Sequence, residues 1–532
     1  MLFRILGQLP PTICFKNISS ASSVLHRSLY TLEKLPKTER KGKSRLAVKS
    51  YSNRFLNENP DHQQSSVAKS LHLFASTLPG LESILSDELE TKLNISKQNQ
   101  LVTDGGITFD VASVRELYQC HLYLGSASHI FLRAPVSQVD DAGSKDITNG
   151  GSVMDAVNNK KHTFYAIHEK QLVQKVRKMN IWSEIISISD QQKLPKLDIR
   201  VSSTKSKLHH TGLIADCIER GVYKALGYKK RNKNQSLHKS FNNKEYDDQR
   251  VMRILVRIHR DEVQVSIDTS LTPLHRRGYK LAIGKAPLRE DIAFAFLYSL
   301  GWSNSLSSSY SLVDPFCGAG TIVIEGASMA KGLPPGRLRP PPCQFTNFFN
   351  EKMWEEMVQK SSSLDDINQT EVPLIIGSDR DDGAIKSSIE NAKRAGVENF
   401  IQLESSSISA NPWLKKQKSN STSTPIIIQR TNNVLIATNP PFGLRISPSS
   451  RSLKNKQKKG IHPLLPLYQT LGNIVEDLKK SDLSGTNSQK VNLNIGILSH
   501  DMNLARKSGV SDLKKKFTTK LGGIQVTGMG NC

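Results

Sequence analysis

The sequence nowhere strings together about 18 apolar residues, so no helical membrane span is expected. Cysteine is sparse, six in 532 residues, and no two form a C-x-x-C pair. That spacing excludes a disulfide framework and a zinc knuckle, gives no reason to expect a metal, and suits a reducing compartment. Acids are short as well: 48 against 73 lysines and arginines, a net charge of +25. Such an imbalance calls for a polyanionic partner, with nucleic acid as the first expectation and a general solubility charge as the alternative.

The shortage of acid is complete in residues 1–32, which hold Arg4, Lys16 and Arg27 among hydroxyl-bearing and apolar side chains. An organelle transit peptide has this composition, which makes the mitochondrion the first expectation and the plastid the second. A disordered basic arm is the alternative. Residues 1–66 are polar, basic and aperiodic, and are read as standing outside the fold.

Order is expected from "LHLFAST" onward. Leu81, Ile84, Leu85, Leu89 and Leu93 recur at helical spacing, and "GGITFDV" reads as a strand. "QRVMRILVRIHRDEVQVSIDTS" reads as two strands turning at Arg260–Asp261. Helices and strands mix in this way through residue 275, which predicts α+β layers. Residues 136–161 lose periodicity and read as a loop. From about residue 286, strands at "SLVD", "LIIGSD", "FIQLES" and "NVLIATN" alternate with helical stretches. That is the rhythm of an open, mostly parallel α/β sheet. Polar inserts at 415–425 and 447–460 read as surface loops.

In "VDPFCGAGT" a strand ends at Asp314, and Gly318 and Gly320 open the following helix. Glycines at such a turn let the backbone approach a ligand closely. The dinucleotide fingerprint G-x-G-x-x-G fails, because Val323 stands at the third glycine position. The next strand-end acid, Asp379, also lies far beyond the roughly 20 residues that fingerprint requires. S-adenosylmethionine suits the pair better. One acid can serve its cationic amino acid end and the other its ribose hydroxyls. A purely structural tight turn is the bland alternative for the glycines.

The fourth strand runs into "TNPPFG", and two consecutive prolines force a rigid turn at the carboxyl end of a strand, where open sheets bind their ligands. The Asn439 amide oxygen and the Pro440 carbonyl are two fixed acceptors for an exocyclic amine. The Phe442 ring offers a face for a base taken out of its stack. A purine amine is a weak nucleophile because its lone pair is delocalised, so orientation matters more than a strong base. Glycine loop and Asn-Pro-Pro-Phe together read as an amino-methyltransferase.

With "LPGLESILSDEL", "STKSKLHHTG", "LHRRGYKLAIGKAPLRED", "DPFCGAGTIVIEGA" and "TNPPFGLR", the chain resembles the THUMP-containing RNA guanine N2-methyltransferases. Closest is the bacterial type that modifies large-subunit ribosomal RNA, over roughly residues 72–532. The resemblance implies a Rossmann-like class I methyltransferase domain at 276–532, its sheet mostly parallel with one antiparallel strand. An α+β region at 67–275 with the RNA-binding THUMP domain would precede it. It further implies that Asp314, Phe316, Gly318, Gly320 and Asp379 bind S-adenosylmethionine. Asn439, Pro440, Pro441 and Phe442 would hold the target amine. Family members often carry Tyr where Phe442 stands, and an acid near the cofactor adenine where this chain has Ser405, Ser406 and Ser407, with Glu404 displaced toward the strand.

Lys205, Lys207, His209 and His210 cluster just before a helix, a pattern that attracts phosphate or simply forms a solvated basic loop. The resemblance makes this segment part of the RNA surface, and Arg276 and Arg277 are further candidates. Three other readings stand beside ribosomal RNA methylation: the same chemistry on tRNA, adenine N6 methylation, and a catalytically silent RNA-binding assembly factor.

Overall fold

Two sheets carry the fold, one in each half of the chain. The computed structural model describes residues 70–135, 162–179, 181–186, 195–228, 247–281, 287–302, 309–362, 373–415, 425–442, 462–480 and 491–531. The leader expected at 1–66, the loop at 136–161 and nearly all of both polar inserts lie outside these residues. The described residues belong to one compact unit, Val67–Cys532.

The first sheet is built from β1 (Leu71–Thr77), β2 (Leu101–Thr103), β3 (Gly106–Val111), β4 (Ala127–Arg133), β5 (Thr163–Tyr165), β6 (Pro195–Thr204), β7 (Asp247–His259) and β8 (Glu262–Asp268). Its order is β2-β3-β1-β4-β8-β7-β6, with β5 also on β8, and every pairing is antiparallel except β6 with β7. Side chains alternate between faces at period two. Leu73, Ala75, Ile107, Phe109, Ile130, Leu132, Ile254 and Val256 therefore share one buried face. Helices Glu82–Leu93, Val114–Tyr123, Glu169–Lys178 and Thr211–Ala225 bury their apolar stripes in the same core. These are the α+β layers read from the sequence.

The second sheet holds β9 (Ser311–Asp314), β10 (Ile375–Asp379), β11 (Ile401–Ser405), β12 (Asn433–Thr438), β13 (Asn492–Ser499), β14 (Lys514–Leu521) and β15 (Ile524–Gly530). The order is β11-β10-β9-β12-β13-β15-β14. The first five run parallel, and only β15 runs against the rest. Val313, Ile376, Leu435 and Ile436 are buried on their strands, as expected where helices cover both faces. The strand order reverses between β9 and β12, so the carboxyl ends of those two strands flank the crevice where open sheets bind ligands.

The cores, one on the first sheet and one on each face of the second, do not follow chain order. Helix Glu351–Ser362 lies between β9 and β10, yet Cys343, Trp354 and Met357 join the core of the first sheet. Hydrogen bonds fix that placement: Tyr118 Oη donates to the Phe348 carbonyl at 3.0 Å, and Cys343 N donates to the Thr269 carbonyl at 2.9 Å. Leu81 and Ile84, from the first half, pack instead with Phe296, Leu300 and Phe517 of the second core. A boundary at residue 276 thus separates the sheets but not their packing.

Candidate active site

Asp314, at the end of β9, is only 1% exposed. Its Oδ1 accepts hydrogen bonds from Phe316 N at 3.0 Å and from the Thr438 hydroxyl at 2.6 Å. Burial pushes the carboxyl up to about 7; Thr438 and Phe316 pull it down, and nearby Asp379 pushes it further up. Asp379, at the end of the adjacent β10, accepts from Gly318 N and Asp381 N, both at 3.0 Å. The glycine turn is therefore strung between the two strand-end acids.

Gly318 and Gly320 adopt φ of +55° and +81°, the left-handed region that disfavours a side chain. A Cβ on Gly320 would also press on Ser388, whereas one on Gly318 would meet nothing. Gly318 thus keeps its outer side open. Helix Asp382–Ala395 pins the turn from beneath: Ser388 Oγ donates to the Gly318 carbonyl at 2.7 Å and Asn391 Nδ2 to the Ala319 carbonyl at 3.0 Å.

Beyond β11 the serine run has a defined role. Ser406 N donates to the Asp379 carbonyl at 2.9 Å, while its hydroxyl oxygen is buried without a hydrogen-bond partner. Glu404 is already taken, accepting from the Trp413 indole at 3.0 Å. An unsatisfied buried hydroxyl costs on the order of 1–3 kcal/mol, and a bound group that meets it recovers that.

The strand β12 ends in the second half of the site. Asn439 Oδ1 is buried and unpartnered, Pro440 is buried, and Phe442 is half-buried. The Phe442 ring lies 5.1 Å from the imidazole of His500, with the planes tilted by 41°. His500 follows the end of β13, which pairs in parallel with β12. Its Nδ1 is also buried without a partner, and burial lowers its pKa below the ordinary imidazole value. The sequence offers no spacing signal for His500, for Ser406 as the orphan hydroxyl, or for Thr438 as the partner of Asp314. Position at a strand's carboxyl end is the one available cue.

Asp314, Phe316, Gly318, Gly320, Asp379 and Asn439 through Phe442 therefore share one edge of the second sheet. The basic residues belong to the first. Lys205, Lys207, His209 and His210 are exposed on the turn after β6, and Lys205 takes a φ of +51°. Asp261, at the tip of the β7–β8 hairpin, holds that turn by accepting from Lys207 N at 2.6 Å. Among the described residues no acid pairs with either lysine side chain.

Arg276 is exposed, but Arg277 is not a surface contact. Only 2% of it is exposed, and its guanidinium donates to the carbonyls of Leu274 at 2.9 Å and Gly125 at 2.5 Å. Its Nε stands 3.7 Å from Glu325, an ion pair without a hydrogen bond. Arg277 cannot meet phosphate there; it ties helix Thr321–Ala330 to the first half of the chain.

With this geometry in place, residues 277–457 match the family described as "RMKL-like, methyltransferase domain", and residues 72–131 match the "RlmL ferredoxin-like domain". The chain is 34% identical over 229 residues to the ribosomal RNA large subunit methyltransferase K/L of Legionella pneumophila, which covers 42% of this chain and 28% of that protein. It thus spans little more than a quarter of the curated relatives it matches. Among solved structures, "a possible methylase" from Clostridium difficile 630 aligns with 87% of this chain and 98% of its own, at TM-score 0.60 and 22% identity. SMU.472 complexed with SAH aligns with the same shares at TM-score 0.60 and 21% identity. At such identities the likeness is one of fold.

Proposed function

We propose that this chain methylates ribosomal RNA, a reading supported by the match of residues 277–457 to an RMKL-like methyltransferase domain and of residues 72–131 to an RlmL ferredoxin-like domain. The acceptor is the exocyclic N2 amine of a guanosine, and S-adenosylmethionine is the methyl donor. The names of the curated relatives support the ribosomal RNA substrate. The observation that carries the reaction type is the buried, unpartnered Asn439 Oδ1 at the strand edge that also bears Asp314 and Asp379.

The donor set fits the cofactor. Asp314 faces the ammonium of its methionine end, Asp379 its ribose hydroxyls, and the orphan Ser406 hydroxyl its adenine, where related enzymes use an acid. Gly318, open on its outer side, lets the backbone lie close. Phe316 and Gly320 shape the turn. When bound, the cofactor supplies an electrophilic methyl group. On this chain's side, Asn439 Oδ1 and the Pro440 carbonyl orient the amine's lone pair toward that methyl, and Phe442 stacks against the purine. Pro441 fixes the turn. Lys205, Lys207, His209 and Arg276 hold RNA phosphates. The acid-free composition of residues 1–32 supports an organellar location, the mitochondrion first and the plastid second.

The test is methyl transfer by the purified full chain from labelled S-adenosylmethionine to organellar large-subunit rRNA, with tRNA as the competing substrate and nuclease digestion to locate the product. N2-methylguanosine in the rRNA is the expected result. Label in N6-methyladenosine, in tRNA alone, or in no RNA at all would overturn the reading.

A further inference from the structure

Two buried polar atoms without partners flank Phe442: Asn439 Oδ1 at the end of β12 and His500 Nδ1 at the end of β13. In the pairing of these parallel strands, Thr438 lies opposite Ile497. Asn439 and His500 thus leave the same sheet edge on neighbouring strands, His500 two residues beyond the level of Asn439, and the 5.1 Å contact with the Phe442 ring places the imidazole against the motif that holds the amine. A buried ring nitrogen with no partner is a cost the fold carries unless a ligand meets it.

The chemistry needs such a group. When the amine's lone pair forms the N–C bond, the C–S bond breaks and its electron pair stays on sulfur. The nitrogen, becoming four-bonded and positively charged as the bond forms, sheds a proton in the same step. Neither the Asn439 amide nor the Pro440 carbonyl can keep a proton near neutral pH. Resting on the function proposed above, we propose that His500 is a catalytic residue. Its neutral imidazole receives that proton from the methylated amine and passes it to solvent through its half-exposed side.

The surroundings keep the imidazole neutral. His500 is shifted below the ordinary histidine value of about 6.5, first by burial. The charged or titratable groups facing it among the described residues are Asp501, which opposes the shift, and His462, which adds to it. Asp501 is itself occupied, its Oδ1 capping helix Met502–Arg506 through Asn503 N and Leu504 N. His462 Nδ1 accepts from Leu464 N at 3.2 Å. Among the described residues, the Phe442 side contributes no charge.

The experiment is single-turnover methyl transfer to RNA with cofactor and RNA saturating, followed across pH for wild type, His500→Gln and His500→Ala. For wild type the rate falls as pH drops through the His500 pKa, because the imidazolium accepts no proton. His500→Gln retains affinity for cofactor and RNA, loses about 10²-fold in rate at neutral pH, and no longer shows that fall. Added imidazole restores rate to His500→Ala in step with its neutral form. An acid limb that persists unchanged in His500→Gln would belong to Asp314 and overturn the proposal. So would a slow His500→Ala that imidazole does not rescue, because His500 would then only prop the Phe442 ring. A wild type that methylates no RNA sinks the function itself; an active wild type with an equally active His500→Gln sinks only His500.

Discussion

Thr438 donates its hydroxyl hydrogen to Asp314 at 2.6 Å, and both side chains are buried. This bond joins the strand that leads into Asn439 to the strand whose acid is proposed to meet the cofactor's ammonium. Thr438→Val keeps the volume and removes the donor, so the Asp314 carboxylate loses a bond that pulls its pKa down. A hydrogen bond to a charged group contributes about 1.5–3 kcal/mol. Calorimetric titration at neutral pH should show cofactor affinity at least about tenfold weaker. Unchanged affinity would mean that Asp314 does not meet the cofactor.

Asp314 also makes stability depend on pH, in an unusual direction for a carboxyl. Its folded pKa, about 7, lies above its ordinary value of 3.8. Between these values the folded chain binds the proton that the unfolded chain has lost, so stability falls as pH rises through this window. Asp314→Asn removes that loss, on the order of a few kcal/mol, and abolishes cofactor binding. Thermal melts from acid to neutral pH should show the variant increasingly the more stable of the two. Parallel melting curves would contradict the buried, charge-averse carboxyl.

Arg277 gives a destabilising variant that leaves the chemistry alone. Arg277→Leu strips two carbonyls of their donor and leaves Glu325, buried and bonded to Tyr279 Oη at 2.9 Å, without its cation. Removing one member of a buried ion pair costs about 3–5 kcal/mol. Denaturant unfolding should show a loss of that order, with RNA affinity unchanged for the folded fraction. Arg276→Ala, at an exposed position, should leave stability unchanged.

Much of this is legible in the sequence. Asp314 and Asn439 stand at strand ends followed directly by proline, where backbone chemistry itself marks an edge, and Asp379 closes the apolar run of the next strand. The two sheets, the parallel rhythm and the single reversed strand follow from the same cues and the family resemblance. Arg277 misleads because "HRRGY" looks like solvated charge, and the partners that bury it, Gly125 and Glu325, lie far off in the chain. Trp354 and Met357 sit in the first core although they follow β9, and helical periodicity gives no hint of which core a helix joins. A single His or Ser after a strand has no spacing signature, so only their unmet hydrogen bonds reveal His500 and Ser406.

Lys205 and Lys207 test the RNA surface separately from catalysis. Their side chains are exposed on a turn held by Asp261 through Lys207 N, a backbone bond that substitution retains. Charge reversal at both should weaken RNA binding and lower the magnitude of its salt slope by about two, one for each phosphate no longer neutralised. Cofactor affinity should not change. An unaltered salt slope would leave the turn a solvated face.

The most direct measurement is single-turnover methyl transfer by Asn439→Ala, with S-adenosylmethionine and target RNA both saturating. Among the described residues Asn439 Oδ1 has no hydrogen-bond partner, so its loss should spare the fold. Cofactor affinity, which the proposed site assigns to Asp314, Asp379 and the glycine turn, should hold as well. The variant forfeits one of two acceptors orienting the amine, and removing one positioned polar group in an active site costs about 10²- to 10³-fold in rate. Phe442→Tyr keeps the stacking face and should react nearly as wild type, whereas Phe442→Ala forfeits about 1–3 kcal/mol of stacking. A rate for Asn439→Ala slowed by that factor, at unchanged RNA and cofactor affinity, is the expected result. A rate close to wild type would show that this turn does not hold the reacting amine, and would contradict the site.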